Sequence, residues 1–188
     1  MLEVFLLGEI TFHSHSKPIT QFRSQKEIAL LAYLAHTGQT HNREALADLL
    51  WEARSTSQSL SNLRTALARL RKQVGDHLIV TRKTVAVTPA VHEQTDSVRF
   101  QAMLAGAGGE RSVTAVNLLA QGLALYCGEM MAGFSLPDTP RFNDWLIVEQ
   151  ERLRQIALLQ TRSEKILDEQ RRKQFLEQVP VHQAIMEY

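Results

Sequence analysis

The sequence is poor in three features that would assign it to a class at once: cysteine, long apolar runs and net charge. It has one cysteine, Cys127, so an internal disulfide is excluded and a reducing compartment is expected. Its longest apolar run, residues 28–35, is far shorter than the ~20 residues that span a bilayer. Glu3 and Glu9 occupy the start of the chain, where a secretory signal needs basic residues. We therefore expect a soluble, cytoplasmic protein.

The net charge of the 188 residues is only +1, but the charges are unevenly distributed. Residues 54–83 hold seven cations and one acid, Asp76, whereas residues 93–188 hold ten cations and thirteen acids. A basic front and a mildly acidic back are typical of a DNA-binding module joined to a protein-binding one. We predict two domains, residues 1–92 and 93–188, each long enough to bury a core.

Motifs for catalysis and metal binding are also lacking. The glycine-rich residues 105–112 have no lysine in the place that a P-loop requires. Two histidine pairs, His13 with His15 and His36 with His41, come without a carboxylate or cysteine at ligand spacing. No nucleophile with a base and no carboxylate pair is recognisable. We predict that the chain is not an enzyme and has no catalytic residue, no metal site and no cofactor.

The most informative stretch that is present is SQSLSNLRTALARLRKQV, residues 57–74. Apolar residues recur along it at steps of three and four, which predicts a helix with one stripe facing a core. The opposite face carries hydrogen-bonding residues and no acid, and such groups can pair with base edges in the major groove of DNA. The stripe consists of Leu60, Leu63, Leu67, Leu70 and Val74. The predicted base contacts are Gln58, Ser61, Asn62, Thr65, Arg69 and Lys72.

An ordinary amphipathic surface helix would show the same pattern. Whether this helix binds DNA is therefore judged from the elements around it. β-prone residues 2–7 and 10–13, with a short strand at 18–20, predict a small antiparallel sheet. Ser24 and Glu27 have the spacing of a capping box at the start of a helix. That helix is expected to stop at Gly38 because glycine favours the left-handed cap.

Further signals complete the order of elements. Asn42 is expected to cap a second short helix, and Gly75 to end the third. Residues 78–80 and 85–87 then bracket a basic tip and predict a β-hairpin. A sheet, three helices and this hairpin predict a winged helix, whose third helix reads the major groove while the wing touches phosphates or the minor groove. The predicted phosphate contacts are Arg54, Arg64, Arg71, Arg82 and Lys83.

The second half of the chain is predicted to be helical. Residues 112–128 carry one apolar stripe, formed by Val113, Val116, Ala120, Leu123 and Cys127, with Leu119 and Tyr126 widening it. Thr139 and Pro140 mark the start of a long helix, in which we expect a break within residues 160–169. Two long helices leave a face uncovered, so either a helix over residues 181–188 or another chain is expected to cover it.

Segments in both halves of the sequence resemble a known family. In the first half, residues 6–10 (LLGEI), 26–34 (KEIALLAYL), 43–51 (REALADLLW) and 61–71 (SNLRTALARLR) are similar to the DNA-binding domain of the Streptomyces antibiotic regulatory protein family. The second half is similar to that family's bacterial transcriptional activator domain. Its matching segments are 96–104 (DSVRFQAML), 124–128 (ALYCG), 131–134 (MAGF), 142–146 (FNDWL) and 151–153 (ERL).

The resemblance implies a mainly α fold with small β-sheets: an OmpR-like winged helix-turn-helix followed by an α-helical domain of tetratricopeptide-repeat type. It implies a bacterial transcription activator that binds direct repeats at promoters and recruits RNA polymerase. A homodimer through the helical domain is a further possibility. The sequence departs from the family at His15 and Ser16, where a glycine is usual, and at the glycine-free wing tip. The activator domain is shorter than expected, so either a fragment or an unusually short member of the family is predicted. The alternative is a protein-interaction module at the front of a larger multidomain regulator.

Overall fold

A three-stranded antiparallel sheet opens the chain, as predicted. The computed structural model describes residues 1–106 and 113–165. Strands β1 (Leu2–Phe5), β2 (Thr11–Ser14) and β3 (Lys17–Pro18) lie in that order in the sheet, so Pro18 is on an edge strand, where its missing N–H is tolerated. His15 and Ser16 form the turn between β2 and β3 with φ of 49° and 62°. Two non-glycine residues therefore occupy the left-handed region that a tight hairpin requires.

Helix α1 (Gln25–Thr37) has the predicted ends, with one change in the capping box. The Ser24 hydroxyl accepts a hydrogen bond from the Glu27 N–H. The Glu27 carboxylate, however, accepts from the backbone N–H of Arg23 and not of Ser24. Gly38 ends the helix with φ of 62°, and a Cβ there would lie 2.6 Å from the His92 ring. Any other residue would therefore be strained and would collide with that ring.

The helix-turn-helix consists of α2 (Arg43–Trp51) and α3 (Thr56–Val74). Gly75 ends α3 with φ of 58°, as predicted. Asn42 precedes α2 at the cap position, but its side chain makes no capping hydrogen bond. Asn42 thus occupies the predicted cap position without the side-chain hydrogen bond, and it also belongs to a strand that the sequence did not reveal.

This strand, β4 (His41–Asn42), joins the predicted hairpin of β5 (Leu78–Val80) and β6 (Thr84–Val87) in a second sheet of order β4-β6-β5. The β5–β6 hairpin is the wing. A short helix α4 (Pro89–Glu93) then leads away from it. The wing is therefore hydrogen-bonded to the residues that begin α2.

Helices α5 (Asp96–Gly106), α6 (Val113–Leu125) and α7 (Pro140–Lys165) form the described part of the second half. Of the predicted α6 stripe, Leu119 is buried and Leu123 is partly buried, whereas Ala120 and Cys127 are exposed. The side chains of Val113 and Val116 lie outside the described residues. Among the α6 residues whose burial is described, the buried positions are Ala115, Leu119 and Gly122. The glycine lets α5 approach closely, since a Cβ at Gly122 would lie 3.1 Å from a Leu104 methyl carbon.

Helix α7 begins at Pro140, as predicted, and continues without a break through Lys165. The rest of the predicted break region lies outside the described residues, as does the predicted helix over residues 181–188. Within residues 1–106 and 113–165, no helix is both long and apolar enough to cross a membrane.

The two halves are joined through one continuous hydrophobic cluster and a set of buried polar contacts. The Asp96 carboxylate, at the start of α5, accepts hydrogen bonds from the backbone N–H groups of Leu6 at 2.8 Å and Leu7 at 2.9 Å. His36 of α1 lies between Ser97 Oγ at 2.8 Å and Glu149 Oε2 of α7 at 3.2 Å. The described part of the helical half is therefore packed on the side of the winged helix that carries β1 and α1.

Candidate nucleic-acid interface

Helix α3 lies on the surface with its leucines inward. Leu63, Leu67, Leu70 and Val74 of the predicted stripe are buried, and Leu60 is partly buried. This anchoring turns the opposite face of α3 to solvent. The residues predicted for base contact lie on that face: Gln58, Ser61, Thr65, Arg69 and Lys72 are exposed, and Asn62 is half-buried.

The start of α3 is fixed by hydrogen bonds around the turn that precedes it. The buried Ser59 hydroxyl donates to the carbonyls of Trp51 at 2.9 Å and Ser55 at 3.0 Å. Lys26 of α1 donates to the Leu50 carbonyl and lies 5.5 Å from the centre of the Trp51 ring. Burial lowers the pKa of Lys26, with Asp138 opposing the shift and Arg54 adding to it. Contacts of Ser59 in α3 and Lys26 in α1 thus fix the turn between α2 and α3.

Next to α3, two adjoining depressions separate it from the wing; together we call them the wing cleft. One is lined by Arg43, Arg64, Leu67, Ala68, Arg71, Lys72 and Val80. The other is lined by Asn42, Arg43, Glu44, Leu60, Arg64, Arg82 and Lys83. The wing cleft therefore combines several cations with one acid, Glu44. Its positive potential suits a phosphate backbone.

Four of the five residues predicted for phosphate contact line the wing cleft: Arg64, Arg71, Arg82 and Lys83. The fifth, Arg54, is exposed in the turn before α3. Lys72, which was predicted to contact a base, lines the same cleft. In the described part of the chain, no ion pair engages any of these six side chains. Their charges are therefore open to an external anion.

Arg43 is the residue of this site that sequence reasoning missed. Its backbone N–H donates to the Lys83 carbonyl at 2.9 Å, and its guanidinium Nη1 donates to the Thr81 carbonyl at 3.3 Å. It lies in both depressions, between the start of α2 and the wing. The pairing of β4 with β6 brings it there. No local sequence signal predicted that pairing, although Arg43 itself is cationic.

The wing tip closes without glycine. The Thr81 hydroxyl oxygen accepts from the backbone N–H groups of Lys83 at 3.2 Å and Thr84 at 2.9 Å. A threonine side chain thus supplies the acceptor that shapes the turn. Arg82 and Lys83 are held exposed at its end.

Arg69 differs from the other residues of the α3 outer face. Its Nη1 donates to Glu27 Oε1 at 3.2 Å, and the Glu27 side chain is almost completely buried. The guanidinium is thus drawn towards the start of α1, on the side of α3 away from the wing cleft. Arg69 is therefore not grouped with the unpaired cations.

The histidines in the described part of the chain do not gather at this interface. His36 belongs to the contact with α7, and His41 Nε2 lies 2.8 Å from the Thr37 hydroxyl. Burial lowers the pKa of His41. Among residues 1–106 and 113–165, no group of three or more histidine, cysteine or acidic side chains is placed to hold a metal ion.

A surface-exposed third helix beside a basic wing, followed by packed helices, defines a winged helix-turn-helix chain with a helical second half. The structure of Mycobacterium tuberculosis EmbR in complex with a low affinity phosphopeptide has the same fold. The alignment covers 98% of this chain and 53% of the EmbR chain, with a TM-score of 0.63 and 18% identity. The predicted fold class is therefore confirmed.

The sequence is similar to that of a regulatory protein. The regulatory protein AfsR of Streptomyces coelicolor is 28% identical over 173 residues, which is 87% of this chain and 16% of AfsR. No family model matches the chain. The chain spans about one sixth of AfsR and about half of the EmbR chain. The resemblance to the Streptomyces antibiotic regulatory protein family is confirmed, with the regulatory protein AfsR similar in sequence and EmbR similar in fold.

Proposed function

We propose that the chain is a sequence-specific DNA-binding transcription activator. The observation that carries this proposal is the wing cleft beside the outer face of α3, where unpaired cations adjoin a face of amides and hydroxyls. Cations without internal partners are free to replace the counterions of a phosphate backbone. The α3 side chains then contact base edges, for which amide and hydroxyl groups are suited.

The roles within the interface follow from position. Arg64, Arg71, Lys72, Arg82 and Lys83 contact phosphates from the wing cleft, and Arg54 does so from the turn. Arg43 joins this set because it lies in both depressions of the cleft. Gln58, Ser61, Asn62 and Thr65 contact bases. Lys72 thus moves from the predicted base contacts to the phosphate contacts.

A salt titration of duplex binding tests the proposal. If about five of these seven cations engage phosphates at once, the logarithm of the binding constant should fall with the logarithm of salt concentration with a slope of about −4 to −5. Duplexes selected from a random pool by the purified chain supply the probe. A chain that binds no duplex of the pool at low salt would overturn the proposal.

A matched pair of variants identifies the surface that binds. Arg64→Ala with Arg71→Ala removes two charges from the wing cleft and should make the slope less steep by about two. Arg152→Ala with Arg154→Ala removes the same charge from exposed positions of α7 and should leave it unchanged. Equal effects of the two pairs would show that general charge attraction, and not the wing cleft, determines binding.

Activation also requires a protein contact. We propose that the helical half contacts RNA polymerase, because DNA occupies α3 and the wing cleft in this scheme. We place this action in the cytoplasm, without catalysis or a cofactor. A reconstituted transcription assay on a promoter that carries the selected site tests this. Binding without any increase in transcript would contradict activation.

The second candidate function is a protein-interaction module that forms homodimers. It is favoured by Ile147 and Val148, which are 60% and 63% exposed side by side on α7. Single exposed apolar residues are normal, whereas neighbouring ones are candidates for a contact surface. Sedimentation equilibrium should show self-association that Ile147→Ser with Val148→Ser abolishes. A monomeric wild-type chain at all concentrations would exclude it.

A further inference from the structure

Glu27 is a buried carboxylate whose charge is balanced by a residue of α3. Its relative exposure is 0%, although it belongs to the first turn of α1. One oxygen, Oε2, accepts the backbone N–H of Arg23 at 2.9 Å; the other, Oε1, accepts Arg69 Nη1 at 3.2 Å. A buried carboxylate is tolerated only when it is paired and hydrogen-bonded. Arg69 is the cation that the described residues supply.

Arg69 can pair either with Glu27 or with a base of DNA. By sequence position it lies with the base-contacting residues of α3, and its side chain is 49% exposed. Reading a guanine takes a guanidinium that presents two donors to the base together. Leaving Glu27 would strand a buried carboxylate without its cation, and this opposes a move of the guanidinium towards a base.

A second contact one turn along α3 points the same way. Gln73, four residues after Arg69, donates its Nε2 to the Gln21 carbonyl at 2.9 Å. Arg69 and Gln73 thus tie one side of α3 to residues 21–27, before and within the start of α1. The other side of the helix faces the wing cleft.

We propose that Arg69 is a positioning residue: together with Glu27 it sets the orientation of α3 against α1, and it does not read a base. This rests on the proposed DNA binding and assigns specificity to Gln58, Ser61, Asn62 and Thr65. Arg69 determines which base edges those four residues meet. The predicted base contact of Arg69 is the competing outcome of the test below.

The test replaces the ion pair by an apolar pair of similar length, Glu27→Met with Arg69→Met. Such replacements of buried ion pairs are commonly neutral for stability, so this variant keeps the inference testable even if Arg69→Ala does not fold. Thermal unfolding followed by circular dichroism confirms folding. The measurement is affinity for the selected duplex and for a panel in which each base pair is changed in turn.

If Arg69 only positions α3, the double methionine variant keeps the base preference of the wild type at every position of the panel. The single variants Glu27→Gln and Arg69→Ala then weaken binding of the selected site by similar factors, with the loss spread over several base pairs. Gln58→Ala serves as the control for a base contact, and should lose about 5- to 150-fold discrimination at one base pair.

A loss of discrimination confined to one base pair in both Arg69→Ala and the double methionine variant would overturn the inference and restore Arg69 as a base contact. In that case the wild type still binds its selected duplex, so the proposed function stands. A wild-type chain that binds no duplex overturns the proposed function, and the positioning role with it.

Discussion

Polar side chains are arranged in opposite ways on two faces of the winged helix. Towards the helical half, Asp96, Ser97 and His36 are buried, and their polar atoms are paired across the contact. Towards solvent, cations such as Arg64 and Arg71 line the wing cleft without an ion pair in the described residues. Buried polar groups must be satisfied within the chain, whereas exposed ones are satisfied by water until a ligand replaces it. The first face is therefore structural, and the second is available for binding.

The sharpest test of this contrast removes a buried acceptor. Asp96→Ala should lower the free energy of unfolding by roughly 3 kcal/mol, because the N–H groups of Leu6 and Leu7 lose their acceptor in a buried place. Burial raises the pKa of Asp96, opposed by the backbone hydrogen bonds of Leu7, Leu6 and Ser97 and by His36. Chemical denaturation measures the loss. Asp96→Asn, which keeps one acceptor, should cost less; equal losses would show that the hydrogen bonds are not the cause.

On the solvent side, a base contact should matter for DNA and not for folding. Asn62→Ala should reduce discrimination among duplexes by about 1–3 kcal/mol at one base pair, with unfolding changed by less than about 0.5 kcal/mol. Competition binding against single-base variants of the selected duplex gives the first number, and denaturation gives the second. A stability loss as large as that of Asp96→Ala would place Asn62 on the structural face.

At the wing tip, Arg82→Ala should weaken binding of all duplexes alike. The expected change is about 0.9 in the salt slope, because one phosphate contact is lost. The folded state should be unaffected, since the side chain is exposed and the turn is held by Thr81. If Arg82→Ala instead changed base preference, the division between base and backbone contacts would be wrong.

The smallest effect is expected from Glu149, at the edge of the buried face. Burial acts to raise the pKa of this carboxyl, but the hydrogen bond and charge of His36, with those of Arg152, outweigh it. The pKa therefore lies below the usual 4.5. A carboxyl with a lowered folded pKa stabilises the protein above its unfolded pKa, and the stabilisation is lost as the pH falls through the folded value.

The free energy of unfolding of the wild type should accordingly decrease below about pH 4.5. Glu149→Gln should be less stable than the wild type by no more than about 1 kcal/mol at pH 7. The difference should vanish in acid, which denaturation at a series of pH values measures. A difference that stays constant from pH 7 to acid would show that the charge of Glu149 contributes nothing to the contact.

Local signals allowed most of the elements to be predicted. The leucines of α3, Gly38 and Pro140 each act within a few residues, through periodicity, the left-handed cap and the first helical turn. The exposed polar face of α3 followed from the same periodicity. The predicted stripe of α6 missed Gly122, which packs against α5, because a glycine gives no apolar signal although it allows close packing.

Contacts between distant residues could not be predicted. Asp96 is 90 positions from Leu6, and Glu27 is 42 from Arg69. Their pairing depends on how the helices and strands pack together. No local sequence pattern predicts that packing. Arg43 was missed for the same reason, since β6 brings the wing to it. The base contacts were predicted from the periodicity of α3 alone, and this periodicity gives no sign of the ion pair between Arg69 and Glu27 of α1.

One consequence concerns how the protein can be divided for study. The outer edge of β1 and the residues after it bond to partners beyond residue 92: Val4 bridges Thr95, Leu6 O accepts from the Met131 N–H, and Gly8 N–H donates to Glu129 O. A fragment truncated at residue 92 would leave these groups unpaired on an exposed strand edge, which invites association with other chains. Expression of the first 92 residues alone should therefore give aggregation-prone material, whereas a truncation placed after residue 132 retains these partners.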